Sequence, residues 1–331
     1  MHALGMVGLG PLGRRVATDA IERGLGRVLV AVDPAPELAG RPLPDLVPGA
    51  ADVPLVATLD EVVEPASVDA WIVATSSDLE RCADTFRWLL GRGAAVVSTC
   101  EELSWPWLRH PERARELEEL AAQHGGRLLG TGVNPGFLMD ALPVAATTAC
   151  ASVHAVRIER IQDAAPRRLP FQRKIGATLA PEAFEARVRE GTLRHVGLGE
   201  SLHLVADALG VDVARWEETI EPVLADGPQE SGLGPIRTGQ ARGVRQVARG
   251  WVDGEDAPRF ELVFQASIGE PHPRDAVHID GDPPIELTIP GGVHGDVATS
   301  AIVLNSVRSL LAAAPGLHTV TRLPLRGCAS R

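Results

Sequence analysis

The sequence predicts an α/β protein: an N-terminal Rossmann domain on a doubly wound parallel sheet, then an α+β domain on a mixed or antiparallel sheet. Three observations predict it. Short apolar runs alternate with amphipathic segments over the first 136 residues, which is the pattern of βαβ units. A glycine-rich hexapeptide, Gly8-Leu9-Gly10-Pro11-Leu12-Gly13, joins the first run to the first amphipathic segment. Beyond about Val153 the runs lengthen and alternate polar with apolar, as strands with one wet face do.

The expected strands of the first domain are Leu4–Val7, Val28–Val32, Leu55–Ala57, Ala70–Ala74, Ala94–Val97 and Leu128–Leu129, six in all. Between them, Leu12–Arg23, Leu79–Leu90 and Pro111–His124 repeat apolar residues at helical spacing. In the second domain the expected strands are Val153–Ile161, Phe260–Ile268 and Ile285–Ile289, and the expected helices Pro181–Glu190 and Glu200–Leu209. A last helix, about 298–314, is apolar on most faces and is expected to pack back on the first domain. The domains are thus drawn at 1–137, 138–297 for substrate and dimer contacts, and a return segment at 298–331.

The 331 residues exceed one ordinary core, and 45% of them are hydrophobic, so both domains can be well buried. No stretch of 18 uninterrupted apolar residues occurs and the N-terminus has no signal-peptide pattern, so a cytoplasmic protein without a membrane partner is expected. A net charge of -11 disfavours phosphate backbones, which argues against nucleic acid. The four cysteines, Cys82, Cys100, Cys150 and Cys328, form no CxxC pair and suggest neither a zinc site nor a disulfide framework. Lys174 is the sole lysine among 32 basic residues, so it is either a carboxylate-binding group or a member of an ordinary ion pair.

The hexapeptide carries a dinucleotide fingerprint. Gly8 and Gly10 permit a tight turn and close approach of a pyrophosphate, Gly13 lets helix and strand pack, and the helix start, with Leu9, Pro11 and Leu12 completing the loop, attracts phosphate. Asp33, twenty residues past Gly13, is placed to accept hydrogen bonds from the adenosine ribose. A carboxylate there favours NAD over NADP, unless Arg14, Arg15 and Arg41 fold over the ribose and offset it. Thr75 and Ser76 end the fourth strand, Thr99 and Cys100 the fifth, and ligands of open sheets bind beyond such carboxyl ends; these residues either line the nicotinamide side or cap the following helices.

Glu101 and Glu102 come next. A carboxylate at this mouth suits general acid–base work, although acids also favour the first turn of any helix. Here the blocks STCEELSWPW (98–107), GTGVNPGFLMD (130–140), RIQDAAPRRLPFQRKIG (160–176), HVGLGES (195–201) and GGVHGDVATSAIVLN (291–305) together resemble the native amine dehydrogenases. That family includes 2,4-diaminopentanoate dehydrogenase and is similar in fold to dihydrodipicolinate reductases.

The resemblance implies reversible reductive amination: a ketone and ammonia form an iminium ion, which takes hydride from NADH or NADPH, in a homodimeric enzyme. It places the catalytic glutamate at Glu102 or Glu101, with Glu102 ranked first. A single carboxylate matches a cationic iminium, whereas an oxyanion hole does not. Asn134 is expected to hold the nicotinamide carboxamide or ribose, and Trp105, Phe171, Gln172, His195 and His294 are candidate pocket walls, each histidine being equally a structural residue. The expected substrates are small ketones and their amines, with no metal. A dihydrodipicolinate reductase-like imine reductase is an alternative, but the His-His-x-x-Lys block of that family is missing. The other alternative is a non-catalytic NAD(P) sensor, for which paired acids have no use.

Overall fold

The computed structural model describes residues 1–63 and 65–328. They form two compact units, one made of residues 1–137 with the chain from His294 onward, the other of Leu138–Val293.

The first unit is a seven-stranded, wholly parallel sheet. Its strands are β1 (His2–Val7), β2 (Gly26–Val32), β3 (Leu55–Val56), β4 (Ala70–Val73), β5 (Ala95–Ser98), β6 (Arg127–Gly130) and, from the far end of the chain, β15 (Gly316–His318). Their order is β15-β6-β5-β4-β1-β2-β3. Six strands were expected; the seventh, three residues long, pairs with β6 and was too short to register as a run. The order reverses between β1 and β4, so right-handed crossovers send helices to both faces.

On one face α2 (Leu79–Leu90) and α3 (Pro111–His124) bury Phe86, Leu89, Leu90 and Leu117 against Val73, Val96 and Leu128. Burial of Phe86 alone removes enough apolar surface to stabilise the unit by roughly 1.5–3 kcal/mol. Elsewhere in the unit α1 (Pro11–Glu22) lies along α8 (Gly295–Leu311), and α8 lies against β4, β5 and β6. The helix expected at 298–314 thus begins three residues earlier, because His294 caps it: its Nδ1 accepts the Val297 N–H at 3.5 Å.

The second unit holds a six-stranded mixed sheet of order β14-β13-β7-β12-β11-β8. Here β7 is Ser152–Asp163, β8 Arg215–Leu224, β11 Ala241–Trp251, β12 Phe260–Ser267, β13 Arg274–Asp282 and β14 Ile285–Pro290, while Gln229–Ser231 (β9) and Gly234–Ile236 (β10) make a separate ribbon. Only β7 and β12 run parallel; every other pair in this sheet is antiparallel. Helices α4 (Ala141–Thr147), α5 (Leu169–Lys174), α6 (Pro181–Arg189) and α7 (Leu198–Ala208) accompany it, with α7 laid on β11 and β12. Val156, Ile158, Leu202, Phe260, Leu262 and Phe264 form the centre of its core.

A charge ladder crosses the sheet: Arg157 contacts Glu159 and Glu261, Arg249 contacts Glu261, and Arg274 contacts Glu159. Burial pushes the Glu159 carboxyl up, but Arg157 and Arg274 more than offset it and hold its pKa below the ordinary 4.5. A depressed carboxylate stabilises the fold above its unfolded pKa and loses that contribution as pH falls through the folded value. The melting temperature of Glu159→Gln should therefore lie below wild type at pH 7, with the gap closing as the pH is lowered past 4.5 in a calorimetric series.

Candidate active site

The hexapeptide leaves β1 with Gly8 at φ +91° and enters α1 with Pro11 in its first turn. A Cβ on Gly8 would lie 2.5 Å from the Ala74 carbonyl oxygen, and one on Gly13 only 1.9 Å from that of Gly8. Both glycines are therefore demanded by backbone contact within the protein. Gly10 differs, since a Cβ there meets no heavy atom within 4 Å. Gly10 is also the N-cap of α1, its lack of a side chain leaves the first N–H groups uncapped, and no acid occupies the first turn. This open, donor-rich helix start fits a pyrophosphate.

Asp33 follows β2 and is buried. Its Oδ2 accepts the Leu9 N–H at 2.7 Å and its Oδ1 the Ala35 N–H at 3.0 Å, so the carboxylate braces the loop. The three arginines that were to offset it are engaged elsewhere: Arg14 Nε donates to the Leu9 carbonyl at 2.7 Å, Arg15 pairs with Asp19, and Arg41 with Asp45.

At the carboxyl edge of β4 and β5 the small polar residues bond mainly to their own loops. Ser76 Oγ accepts the Asp78 N–H at 3.2 Å, Asp78 caps α2, and the Thr99 N–H donates to the Val73 carbonyl at 3.0 Å. Thr75 Oγ1 lies 3.5 Å from Cys82 Sγ. Ser98 Oγ donates to the Val73 carbonyl and accepts the Cys100 N–H, both at 3.1 Å.

The two acids part here. Glu102 is buried, its N–H donates to the Ser77 carbonyl at 3.3 Å, its Oε2 accepts the Leu79 N–H at 2.9 Å, and the same oxygen sits 3.0 Å from His110 Nε2. It caps α2 and anchors His110, whose Nδ1 is 3.5 Å from Glu80. Glu101, one residue earlier and half-buried, opens the 3₁₀ turn Glu101–Ser104 directly after β5. His110 was missed in the sequence because its partner stands eight residues away, outside any motif.

The loop after β6 carries Asn134, buried and followed by a cis bond to Pro135. Thr299 of α8 fixes this loop by accepting the Val133 N–H at 3.1 Å. A cavity of about 330 Å³ behind the loop is lined by Thr131, Gly136, Phe137, Ile302 and Asn305 among others, and none of Cys100, Glu101 and Glu102 reaches it. Trp105 packs edge-to-face on Trp107 with ring centres 4.9 Å apart.

In the second unit, Gln172 is not a pocket wall. Its Nε2 donates to the carbonyls of Ala164, Ala165 and Arg167 and its Oε1 accepts the Gly232 N–H, which saturates the amide in a buried loop clamp. His294 likewise is taken up as the cap of α8. His195 stacks on Phe264 at 4.2 Å, and Gln246 clamps its backbone through both N–H and carbonyl. Burial, and then the charges of Lys174, Arg160 and Arg194, push its pKa down to about 3, so the imidazole is neutral at physiological pH. Phe171 carries the Arg167 guanidinium over its ring at 4.3 Å. Lys174 is exposed and has no ion-pair partner among the described residues.

A parallel sheet in Rossmann order, an uncapped helix start behind three glycines and an acid after β2 define a dinucleotide-dependent oxidoreductase. Residues 137–330 match the family model of the 2,4-diaminopentanoate dehydrogenase C-terminal domain. The chain is 30% identical over 330 residues to 2,4-diaminopentanoate dehydrogenase of Acetoanaerobium sticklandii, covering 97% of this chain and 92% of that one. It is 27% identical to an amine dehydrogenase of Streptomyces virginiae, over 82% of this chain and 81% of the other. The chain belongs to the 2,4-diaminopentanoate dehydrogenase family. Its fold matches the amine dehydrogenase of Mycobacterium smegmatis with a TM-score of 0.85 at 23% identity, covering 98% of this chain and 97% of that one. The WlbA dehydrogenase of Thermus thermophilus, solved with NAD and UDP-GlcNAcA, matches at a TM-score of 0.52 and 16% identity, covering 99% and 97%.

The glycines separate fold from function. Gly13→Ala should lower the melting temperature, because its Cβ meets the Gly8 carbonyl; Gly10→Ala should leave melting near wild type yet weaken NADH binding about tenfold or more, read by NADH fluorescence.

Proposed function

We propose that this protein is an NAD(P)H-dependent amine dehydrogenase that interconverts a ketone plus ammonia with the corresponding amine, with Glu101 as its catalytic acid–base. It acts on CH–NH2 donors, as its two named relatives do. The observation that carries the assignment to Glu101 is the use of Glu102 as a cap for α2 and a partner for His110, which commits that carboxylate to the fold.

When bound, NADH or NADPH supplies the hydride. The Glu101 carboxylate takes a proton from ammonium, so that neutral ammonia attacks the ketone carbonyl. It then returns the proton to the carbinolamine hydroxyl, which leaves as water. The resulting anionic carboxylate steadies the cationic iminium carbon that accepts hydride. Gly8 to Gly13 hold the pyrophosphate, Asp33 the adenosine ribose, and Thr75, Ser76, Thr99, Cys100 and Asn134 surround the nicotinamide end. Asp33, undiluted by the engaged arginines, supports a preference for NAD. Trp105 remains as a candidate wall for the substrate. The enzyme works as a homodimer, in keeping with the family resemblance, and in the cytoplasm, in keeping with the sequence reading; no described helix is long and apolar enough to cross a membrane.

Oxidation of NADH with a panel of ketones, with and without ammonium, tests this. Activity should require ammonium. Glu101→Gln should lower kcat by about 10²–10⁴, whereas Glu102→Gln should chiefly lower stability, by about 1–3 kcal/mol, because a neutral amide replaces the carboxylate that accepts the Leu79 N–H and pairs with His110. Equal stability of the two variants with activity lost only in Glu102→Gln would reverse the assignment.

The lone lysine refines the substrate. Exposed, without an ion-pair partner among the described residues and close enough to bear on His195, Lys174 supports a carboxylate-bearing ketone or amine over the small neutral ketones expected from sequence. Lys174→Gln should raise KM about tenfold for keto acids and leave KM for neutral ketones unchanged; a uniform change would remove Lys174 from substrate binding.

A further inference from the structure

Two thiols meet at the carboxyl edge of the parallel sheet. Cys82 is the fourth residue of α2, Cys100 lies between β5 and the 3₁₀ turn at Glu101, and that turn packs on α2. Each is about 1% exposed. Their Sγ atoms reach adjacent carbonyls of one loop, Cys82 to Ser76 at 3.6 Å and Cys100 to Ser77 at 3.3 Å, which brings both thiols to the same short stretch of backbone. Neither thiol carries a proton in the proposed amination, and Cys100 only borders the proposed nicotinamide end. Buried cysteines are ordinarily inert hydrophobes, but two aimed at adjacent carbonyls of one loop, beside the first turn of a helix, are not an ordinary core pair.

We propose that Cys82 and Cys100 form an oxidisable dithiol site, which peroxide converts to a disulfide that shuts the dinucleotide site. The hydrogen bond from Cys100, aided by Thr75 and the Ser76 backbone, brings the Cys82 thiol down to about 7, while the same contact and burial push the Cys100 thiol up. Cys82 is therefore the attacking thiolate and Cys100 the proton-bearing partner. The Cys82 thiolate attacks one peroxide oxygen, giving a sulfenic acid and expelling hydroxide. The Cys100 sulfur then attacks the Cys82 sulfur; the hydroxyl leaves and takes the Cys100 proton as water. In sum two thiols and one hydrogen peroxide give one disulfide and two waters, and a thiol reductant reverses it. Peroxide, little larger than water, suits so enclosed a pair. The new bond draws together the first turn of α2 and the segment leading into Glu101, and so displaces Thr75, Ser76 and Thr99 between them.

The predicted loss of NADH rests on the proposed dinucleotide site; the cross-link does not. The test treats the full-length protein with hydrogen peroxide and reads intact mass, tryptic peptides and NADH fluorescence before and after dithiothreitol. Trypsin places Cys82 on residues 82–87 and Cys100 on 93–109. The expected result is loss of two hydrogens, a linked 82–87/93–109 pair and NADH binding weakened about tenfold or more, all reversed by dithiothreitol. Cys150→Ser/Cys328→Ser should still form the link, and Cys82→Ser should not. A reduced protein that binds no NADH would defeat the site assignment while the peptides still decide this proposal. Absence of the 82–100 link, or a linked protein with unchanged NADH affinity, would overturn it.

Discussion

The backbone crowding where β1 leaves the sheet governs the rest of the first unit. Gly8 lies against the carbonyl of Ala74, and Gly13 lies against the carbonyl of Gly8, so three segments touch where any side chain would push them apart. That contact sets α1 close on the sheet and points its uncapped N–H groups past the strand ends. Asp33 then ties the loop to the end of β2. A helix start with unsatisfied donors is costly in isolation; here it is held rigidly, so an arriving anion meets donors already aligned. The same edge supplies the acids, because β5 ends one strand beyond β4 in the parallel order.

Much of this was legible in the sequence because the relevant signals are local. The three glycines, the acid after β2 and the acids after β5 all sit at fixed offsets from apolar runs. The bonding of Glu102 to the start of α2 and to His110 was not legible. It depends on which carboxylate meets the start of α2, a segment more than twenty residues earlier, and on His110 arriving from the far side of a second 3₁₀ turn. Gln172 misled for a related reason: its place in a family-like block made it a candidate pocket wall, yet all its capacity goes to carbonyls and an N–H of two nearby loops.

The second unit was harder still to read. Strands β8 and β11 escaped notice because Arg245, Arg249, Glu217 and Glu221 interrupt their apolar residues, and β13 because Arg274, Asp275, Asp280 and Asp282 leave it few. Those charges belong to strands all the same, since cross-strand partners stand a few ångströms away: Arg245 bonds Gln265, Arg249 bonds Glu261, and Gln246 reaches Glu218. Lateral pairing of this kind is invisible to a pattern that counts hydrophobic residues along one strand.

The return of α8 and β15 to the first sheet has a consequence for how the molecule is made. During synthesis the first 137 residues emerge with one flank of β6 unpaired and the surface later covered by α8 bare. All of Leu138–Val293 must follow before those parts arrive. The nucleotide-binding half is thus begun ahead of the second unit and closed after it, which leaves a strand edge and an apolar face in need of protection while the ribosome works through Leu138–Val293.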